Sequence, residues 1–330
     1  RFTIGTFPSW GTGAARDEAR RLKTQIDRGG DPLGEIKAGR AAPNVSDLCD
    51  RFVAEYLPRK KPSTRHTYRL QIDNEIRPAL GGLKVAEVTF SDADGLHRKL
   101  TARGTPYRAN RVLALLSRMF SMAIRWRLRA DNPCKGVERN QEQKRHRYLT
   151  GAELARLTTA LAELRDQGAA NAVRLLLLTG ARRVELLAGR WTDIDLDAGV
   201  WVKRAATTKG KVPHRVPLSN AARQLLSEMK KQADCDWLFP ARQGHRTDIK
   251  DAWEVLRKAA EIPDARTHDL RHTYASVLAS SGLSLPIIGQ LLGHTTAQTL
   301  DDPLRAATER AAAVITGAKP TEIVRLPVRK

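Results

Sequence analysis

Seven consecutive residues constrain this chain more than any others. Ala172 to Leu178 read Ala-Val-Arg-Leu-Leu-Leu-Leu, apolar on every face of a helix apart from Arg174. A helix of that kind has to be enclosed by other elements, and Thr179-Gly180 closes it. The chain is 330 residues long, room for two or three domains that each bury a core. The stretch after residue 148 supplies what can close around the apolar helix. Leu149 to Leu154 opens a helix, with Thr150 as cap and Glu153 three positions on, a capping-box spacing. Trp191–Asp193, Val200–Lys203 and His214–Leu218 have strand character, followed by helices over Ser219–Lys230 and Thr247–Ala260. Trp237-Leu238-Phe239 is a short buried segment between them. Thr267 is the expected N-cap of a helix with Leu270, Tyr274, Val277 and Leu278 on its apolar stripe. Pro286 opens a short apolar helix ending at Gly293, and Pro303–Ile315 is an Ala-rich helix.

The segment before this domain is expected to be all helical. Val45, Leu48, Phe52, Val53 and Tyr56 mark a first helix stopped by Pro58. Ser63 or Thr64 can cap a second, running through Tyr68, Leu70 and Ile72. Phe90–Leu100 and Asn110–Arg127 supply two more, and Asn132-Pro133 ends the segment. Charge here is one-sided. Arg59, Lys60, Lys61, Arg65 and Arg69 occur with no carboxylate between them, and Arg98 to Arg129 holds nine Lys or Arg with none. The whole chain has 57 Lys+Arg against 36 Asp+Glu, a formal charge of +21. Cations clustered in this way suit a polyanion, and DNA backbones are read through such residues. Lys144, Arg145, His146 and Arg147, in a polar linker over 134–147, extend the pattern.

Residues 1–43 suggest the end of a small module: a strand over Arg1–Phe7, a basic helix over Ala14–Arg28, and a Gly/Pro/Ala-rich linker over Asp31–Pro43. With Arg at position 1, the true N-terminus is expected to lie upstream. The tail after Thr316 is basic and expected to be extended. Cys49, Cys134 and Cys235 show no metal-ligand spacing and fit a reducing compartment. No apolar run approaches membrane-spanning length, and no signal-like segment is present. The chain is therefore expected in a reduced cytosol.

The chemistry is carried by an ordered set of residues. Arg182-Arg183-Val184-Glu185 is an Arg-x-x-Glu pattern directly behind the apolar helix. A lysine follows in the turn of the second hairpin, Lys209-Gly210-Lys211. His268-Asp269-Leu270-Arg271 then places a His and an Arg one turn apart near a helix start, where anions bind. Leu292-Gly293-His294 completes the series. Singly, each has an ordinary explanation: a helix-end charge, a turn lysine, a satisfied core histidine. The ordered set resembles the tyrosine recombinase (phage integrase) family, over the whole catalytic half and more loosely over the helical half before it.

That resemblance implies a mainly α chain with small β-sheets. A helical core-binding (SAM-like) domain over 44–133 precedes a mixed α+β catalytic domain over 148–317, with a C-terminal tail over 318–330. Residues 1–43 resemble the remnant of a small N-terminal arm-binding domain. Arg182 and Arg271 would neutralise the non-bridging oxygens of a scissile phosphate, work suited to guanidinium forks. Lys209, or Lys211 if the register shifts, would protonate the leaving 5′ oxygen. His268 would act as general base or proton shuttle and His294 would hydrogen-bond the phosphate, with Glu185 in support. No metal or other cofactor is implied. Within the DNA-contacting surface the expected residues are Lys60, Lys61, Thr64, Arg65, Asn110, Arg111, Arg145 and Arg147. The implied partners are double-stranded DNA attachment sites, three further copies in a homo-tetramer at synapsis, and accessory DNA-bending or directionality factors. The helix Pro303–Ile315 would pack into a neighbouring copy.

One member of the family's set is missing. The nucleophilic tyrosine normally stands about nine residues beyond the Leu-Gly-His histidine, where this chain has Pro303. The five tyrosines are Tyr56, Tyr68, Tyr107, Tyr148 and Tyr274, and Tyr274, on the apolar stripe behind Arg271, is expected in the core. Family members read Thr-Thr-x-x-Tyr-x-His near here. The junction of Thr299 with Leu300 is the expected place of an omitted segment that carries the nucleophile. The competing reading is a DNA-binding or architectural protein on a recombinase scaffold without the tyrosine. A type IB topoisomerase ranks third, because it usually lacks the helical domain and the Leu-Gly-His end.

Overall fold

The computed structural model describes residues 3–143, 145–204, 214–293 and 301–317, with 301–303 described by their helical backbone alone. Lys209, Lys211, His294, the Thr299–Leu300 junction and the tail beyond 317 lie outside the described residues. Two compact units divide the chain, Arg1–Lys144 and Arg145–Lys330.

In the first unit, α1 (Thr12–Asp27) matches the expected basic helix, but no strand forms over the described residues before it. The expected linker after it is largely helical. Asp31 accepts the Gly34 N–H and Pro32 stands in the first turn, which starts α2 (Pro32–Ala41) despite the glycines that follow. Asn44 and Asp47 form a capping box at the start of α3 (Val45–Arg51). The chain then continues through a π-turn at Phe52–Tyr56 and a 3-10 turn at Leu57–Arg59, which absorbs Pro58. Next come α4 (Pro62–Gln71), a second π-turn at Ile72–Ile76, and α5 (Arg77–Leu80). Neither Ser63 nor Thr64 caps α4. Pro62 occupies the first turn and Lys61 the N-cap, because proline's fixed φ already suits a helix start. The unit closes with α6 (Phe90–Ala102), capped by Thr89 and Asp92, and the long α7 (Pro106–Arg125). Leu48, Phe52, Ile72, Ile76, Leu116, Met119 and Phe120 form its core.

In the second unit, Thr150 and Glu153 cap α8 (Gly151–Glu163) as the spacing predicts. The apolar run forms α9 (Gln167–Thr179), with nine buried residues. A short helix follows, α10 (Arg183–Leu187). Trp191–Asp193 is a 3-10 turn rather than a strand, with the Arg190 N–H bonded to the Asp193 carboxylate. The strands β1 (Ile194–Asp195), β2 (Val200–Lys203) and β3 (His214–Pro217) then make an antiparallel sheet in that order, with Lys203 paired to His214.

Around α9 pack α11 (Asn220–Lys231), α13 (Thr267–Ser280) and α15 (Asp301–Thr316). Between α11 and α13, α12 (Lys250–Ala259) lies on α8, and α14 (Leu285–Leu291) sits beside α13. The N-cap of α13 is Arg266, not Thr267. Asp269 accepts the Arg266 N–H at 2.8 Å and fixes the helix start there. The expectation that the last helix inserts into a neighbour is also corrected. Leu304, Ala307, Ala311, Ala312 and Ile315 of α15 are buried in this chain's own core. Among the described residues no helix is long and apolar enough to cross a membrane.

Candidate active site

Gly180 is where the site begins. It ends α9 in the left-handed region, at φ 58°. A Cβ placed there would lie 2.3 Å from the Tyr274 ring and 2.8 Å from Leu292 Cδ2. The missing side chain thus brings α9, α13 and the end of α14 together. Tyr274 is fully buried in that junction, and burial pushes its phenol up from the usual range, so it packs the core and is no nucleophile.

Arg271, one turn before Tyr274, is only 5% exposed. Its Nη1 donates to the Gly180 carbonyl and its Nη2 to the Leu292 carbonyl, each at 2.7 Å. Both carbonyls belong to helix C-caps, those of α9 and α14. Helix C-termini carry partial negative charge and unsatisfied carbonyls, so two of them compensate the buried guanidinium. Burial and the neighbouring Arg182 lower the Arg271 pKa to about 10, and the group remains cationic at neutral pH.

Arg182 is the N-cap of α10, and its Nη1 donates to Glu185 Oε1 at 2.7 Å. About a third of its side chain remains exposed. Glu185 is 5% exposed and serves two cations, because Lys203 Nζ reaches its other oxygen at 3.2 Å. Those two cations hold the carboxyl below its usual range against the effect of burial. His268, on the first turn of α13, stands edge-on to His272 with ring centroids 5.0 Å apart. Partial burial, His272 and Arg271 lower its pKa, with Arg182 contributing in the same sense. It is a neutral imidazole, able to accept a proton, near two fixed cations.

The structure therefore brings together Arg182, Glu185, His268 and Arg271 from the expected set, while Lys209, Lys211 and His294 are outside the described residues. Two further groups join them that the sequence reading missed. Lys203 ends β2 with 3% exposure, and burial together with Arg271 and Arg182 lowers its pKa to about 8 despite Glu185. His214, opposite it on β3, bonds through Nε2 to the Gln290 carbonyl at 2.8 Å and packs on Gly293. The available signal was strand alternation. Trp201 is an inward residue, and two positions on, Lys203 shares its face.

The expected DNA contacts divide. Lys61 and Arg111 are exposed, and Lys60, Thr64 and Arg65 are partly so. The Lys60 ammonium lies 4.5 Å over the Tyr56 ring, and Arg111 reaches Glu142 at 3.0 Å. Asn110 does not fit the expectation. It is 4% exposed, its Oδ1 accepts the Asn140 N–H and lies 2.9 Å from His97 Nε2, and its amide donates to the Asn140 carbonyl and to Glu142. Asn110 anchors the segment after the helices instead of facing a ligand. Arg145 and Arg147 are also committed, to Asp264 and Asp269 and to Glu153 and Asp264 respectively. No cluster of three or more His, Cys, Asp or Glu side chains able to hold a metal ion occurs among the described residues.

Known proteins resemble this chain in sequence and in fold. Residues 147–306 fit the profile of the phage integrase family, and residues 45–140 that of the phage integrase central domain. The chain is similar to prophage integrase IntZ of Escherichia coli K12, 24% identical over 294 residues, covering 86% of this chain and 73% of that protein. It is 28% identical over 319 residues to a putative prophage phiRv2 integrase of Mycobacterium tuberculosis, covering 88% and 79%. Among solved structures, a lambda integrase tetramer bound to a Holliday junction shares the fold with a TM-score of 0.68 at 20% identity, over 93% of this chain and 89% of that one. The Tn1549 transposon integrase in complex with circular intermediate DNA gives 0.62 at 19% identity, over 81% and 100%. The ordered motifs, the two matched profiles and the arginine-centred cluster lead to one assignment: the chain belongs to the phage integrase family, the tyrosine-type site-specific DNA recombinases.

Proposed function

We propose that the pocket of Arg182, Arg271 and His268 holds one DNA phosphodiester while strands are cut and rejoined through a 3′-phosphotyrosyl link. The observation that carries this reading is that Arg271 is bonded to the turn at Gly180, Arg182 follows that turn two residues on, and both guanidinium groups lie near enough to His268 to lower its pKa. The arginines offset charge that builds on the non-bridging oxygens, and His268 takes or returns a proton beside them. Lys209 is the proposed acid for the leaving 5′ oxygen, and His294 the proposed third contact to the phosphate. The nucleophile is assigned to a segment that belongs between Thr299 and Leu300. Lys60, Lys61, Thr64, Arg65 and Arg111 are the proposed DNA contacts of the helical unit. The partners are duplex attachment sites and, as in the lambda integrase tetramer on a Holliday junction, further copies of the chain. Localisation to the cytoplasm, at the nucleoid, follows from such a substrate.

A nicked suicide duplex of the attachment site, recovered by selection from a random pool, tests the reading on the native gene product. The expected result is a covalent complex that survives denaturation, with peptide mass added at the Thr299–Leu300 junction. Binding without a covalent complex, and a peptide map in which Thr299 runs directly into Leu300, would make the chain a DNA-binding protein on a recombinase scaffold. That second reading is favoured by one observation: no tyrosine follows Tyr274 in the sequence.

A further inference from the structure

Beside the Arg182–Glu185 pair lies a lysine with no place in the set the family motifs mark. Lys203 Nζ is buried against Glu185 Oε2 at 3.2 Å, while Glu185 Oε1 holds the Arg182 guanidinium at 2.7 Å. The charged groups that face it come from each element packed around it. Glu185 and Arg182 belong to α10 and its cap, Arg271 to α13, and His214 to β3 directly opposite. On its own strand, Trp201 offers a ring face 4.8 Å away.

We infer that Lys203 is a positioning residue for the phosphate pocket: by sharing Glu185 with Arg182, it sets how much of the Arg182 charge is left for a bound anion. This rests on the phosphate-binding role proposed above. With Lys203 protonated, one carboxylate is divided between two cations with Arg271 nearby, and the site keeps a clear positive excess. With Lys203 neutral, Glu185 turns its whole charge on Arg182, and the pull on an anion weakens. Binding and protonation are therefore linked. An anion beside Arg182 and Arg271 favours the ammonium form of Lys203 and raises its pKa above the resting value of about 8. Affinity is then fullest below pH 8 and falls as pH rises from there through the pKa of the bound form. Both imidazoles are held below their ordinary value and have lost their protons before this window opens, while the Arg271 guanidinium, at about 10, loses its proton above it.

The test titrates the full chain with inorganic sulfate at constant ionic strength, from pH 7 to 9.5, following arginine side-chain resonances. Sulfate keeps its own charge across that range, so any linked proton belongs to the protein. The wild type is expected to bind about tenfold more weakly at pH 9.5 than at pH 7, the effect of a one-unit pKa rise. Lys203→Met should bind weakly with a flat profile, whereas Lys203→Arg, charged throughout, should hold its affinity to pH 9.5. Thermal melts show that each variant is folded at every pH used. A Lys203→Met profile as steep as wild type would overturn the inference. If instead Arg271→Ala and Arg182→Ala leave sulfate affinity unchanged, the anion is bound elsewhere and the phosphate-pocket reading itself falls.

Discussion

A guanidinium as deeply buried as that of Arg271 loses several kcal/mol of hydration, and main-chain carbonyls from two helix ends offset that loss. Removing it deletes a charge that no neighbour can replace. Arg271→Ala is expected to reduce covalent complex formation about 100- to 1000-fold, as read on the nicked suicide duplex. Arg271→Lys should not restore it, because an ammonium cannot span two carbonyls and a phosphate in one plane. At Gly180, alanine is expected to cost about 1–3 kcal/mol in urea unfolding, since its Cβ would collide with Tyr274 at 2.3 Å. Arg182, His268 and Arg271 were legible as candidates because they stand in an ordered set of motifs that resembles a family, since each alone reads as an ordinary helix-end charge or solvated polar residue. Lys203 was not, because a charged residue at a strand end reads as an exposed terminus until a carboxylate from a different element is seen beneath it. Asn110 was misjudged for the related reason that its partners stand 30 and 32 positions away. Asn110→Ala is expected to cost about 1–3 kcal/mol, since it leaves the partly buried Asn140 N–H without this acceptor.

Among the elements, α13 carries the most chemistry, and its first turns are held from outside. Asp269 accepts the Arg266 N–H and pairs with Arg145 at 3.0 Å. Thr273 donates to the Asp269 carbonyl and accepts the Leu149 N–H, so the start of α8 is tied to the helix bearing His268 and Arg271. Thr273→Val keeps the shape but strands that buried N–H. A loss of about 1–3 kcal/mol is expected, measured by urea unfolding of the full chain. Most elements were visible in the sequence because apolar spacing and proline positions fix where helices and strands run. Their ends were less visible. Arg266 and Lys61 cap helices although neither residue type favours the position, since Asp269 and Pro62 specify those starts from inside the helix. The helix over Pro32–Ala41 hid behind a loop-like composition, and its Asp31 cap was the cue that outweighed the glycines.

For the whole molecule, a formal charge of +21 makes counterion release the main sequence-independent term in DNA affinity. Binding to a random-sequence duplex is expected to weaken about 1000-fold between 50 and 200 mM salt, as fluorescence anisotropy would show. Acid stability should depend in part on Glu153, whose carboxyl Arg147 holds down at about 2, below the ordinary 4.5. A depressed carboxyl stabilises the fold fully above its unfolded value and loses that contribution as pH falls toward the folded one. Glu153→Gln is therefore expected to lower the melting temperature at pH 7 and to narrow its gap from wild type as pH falls from 4.5 to 2, by calorimetry. The helical character of the first unit was foreshadowed by its apolar spacing. The burial of the last helix in its own chain was not, because Ala-rich faces fit an intramolecular core and a neighbour equally well.

The pair of carbonyls that grips Arg271 has an evolutionary corollary. Neither acceptor is encoded by a side chain, so no point substitution at position 180 or 292 removes it. Such a change can loosen the grip only by bending the peptide path. A lineage can therefore rewrite almost every letter around the pocket and still inherit the same aim of its guanidinium, provided the two helices keep ending where they end now.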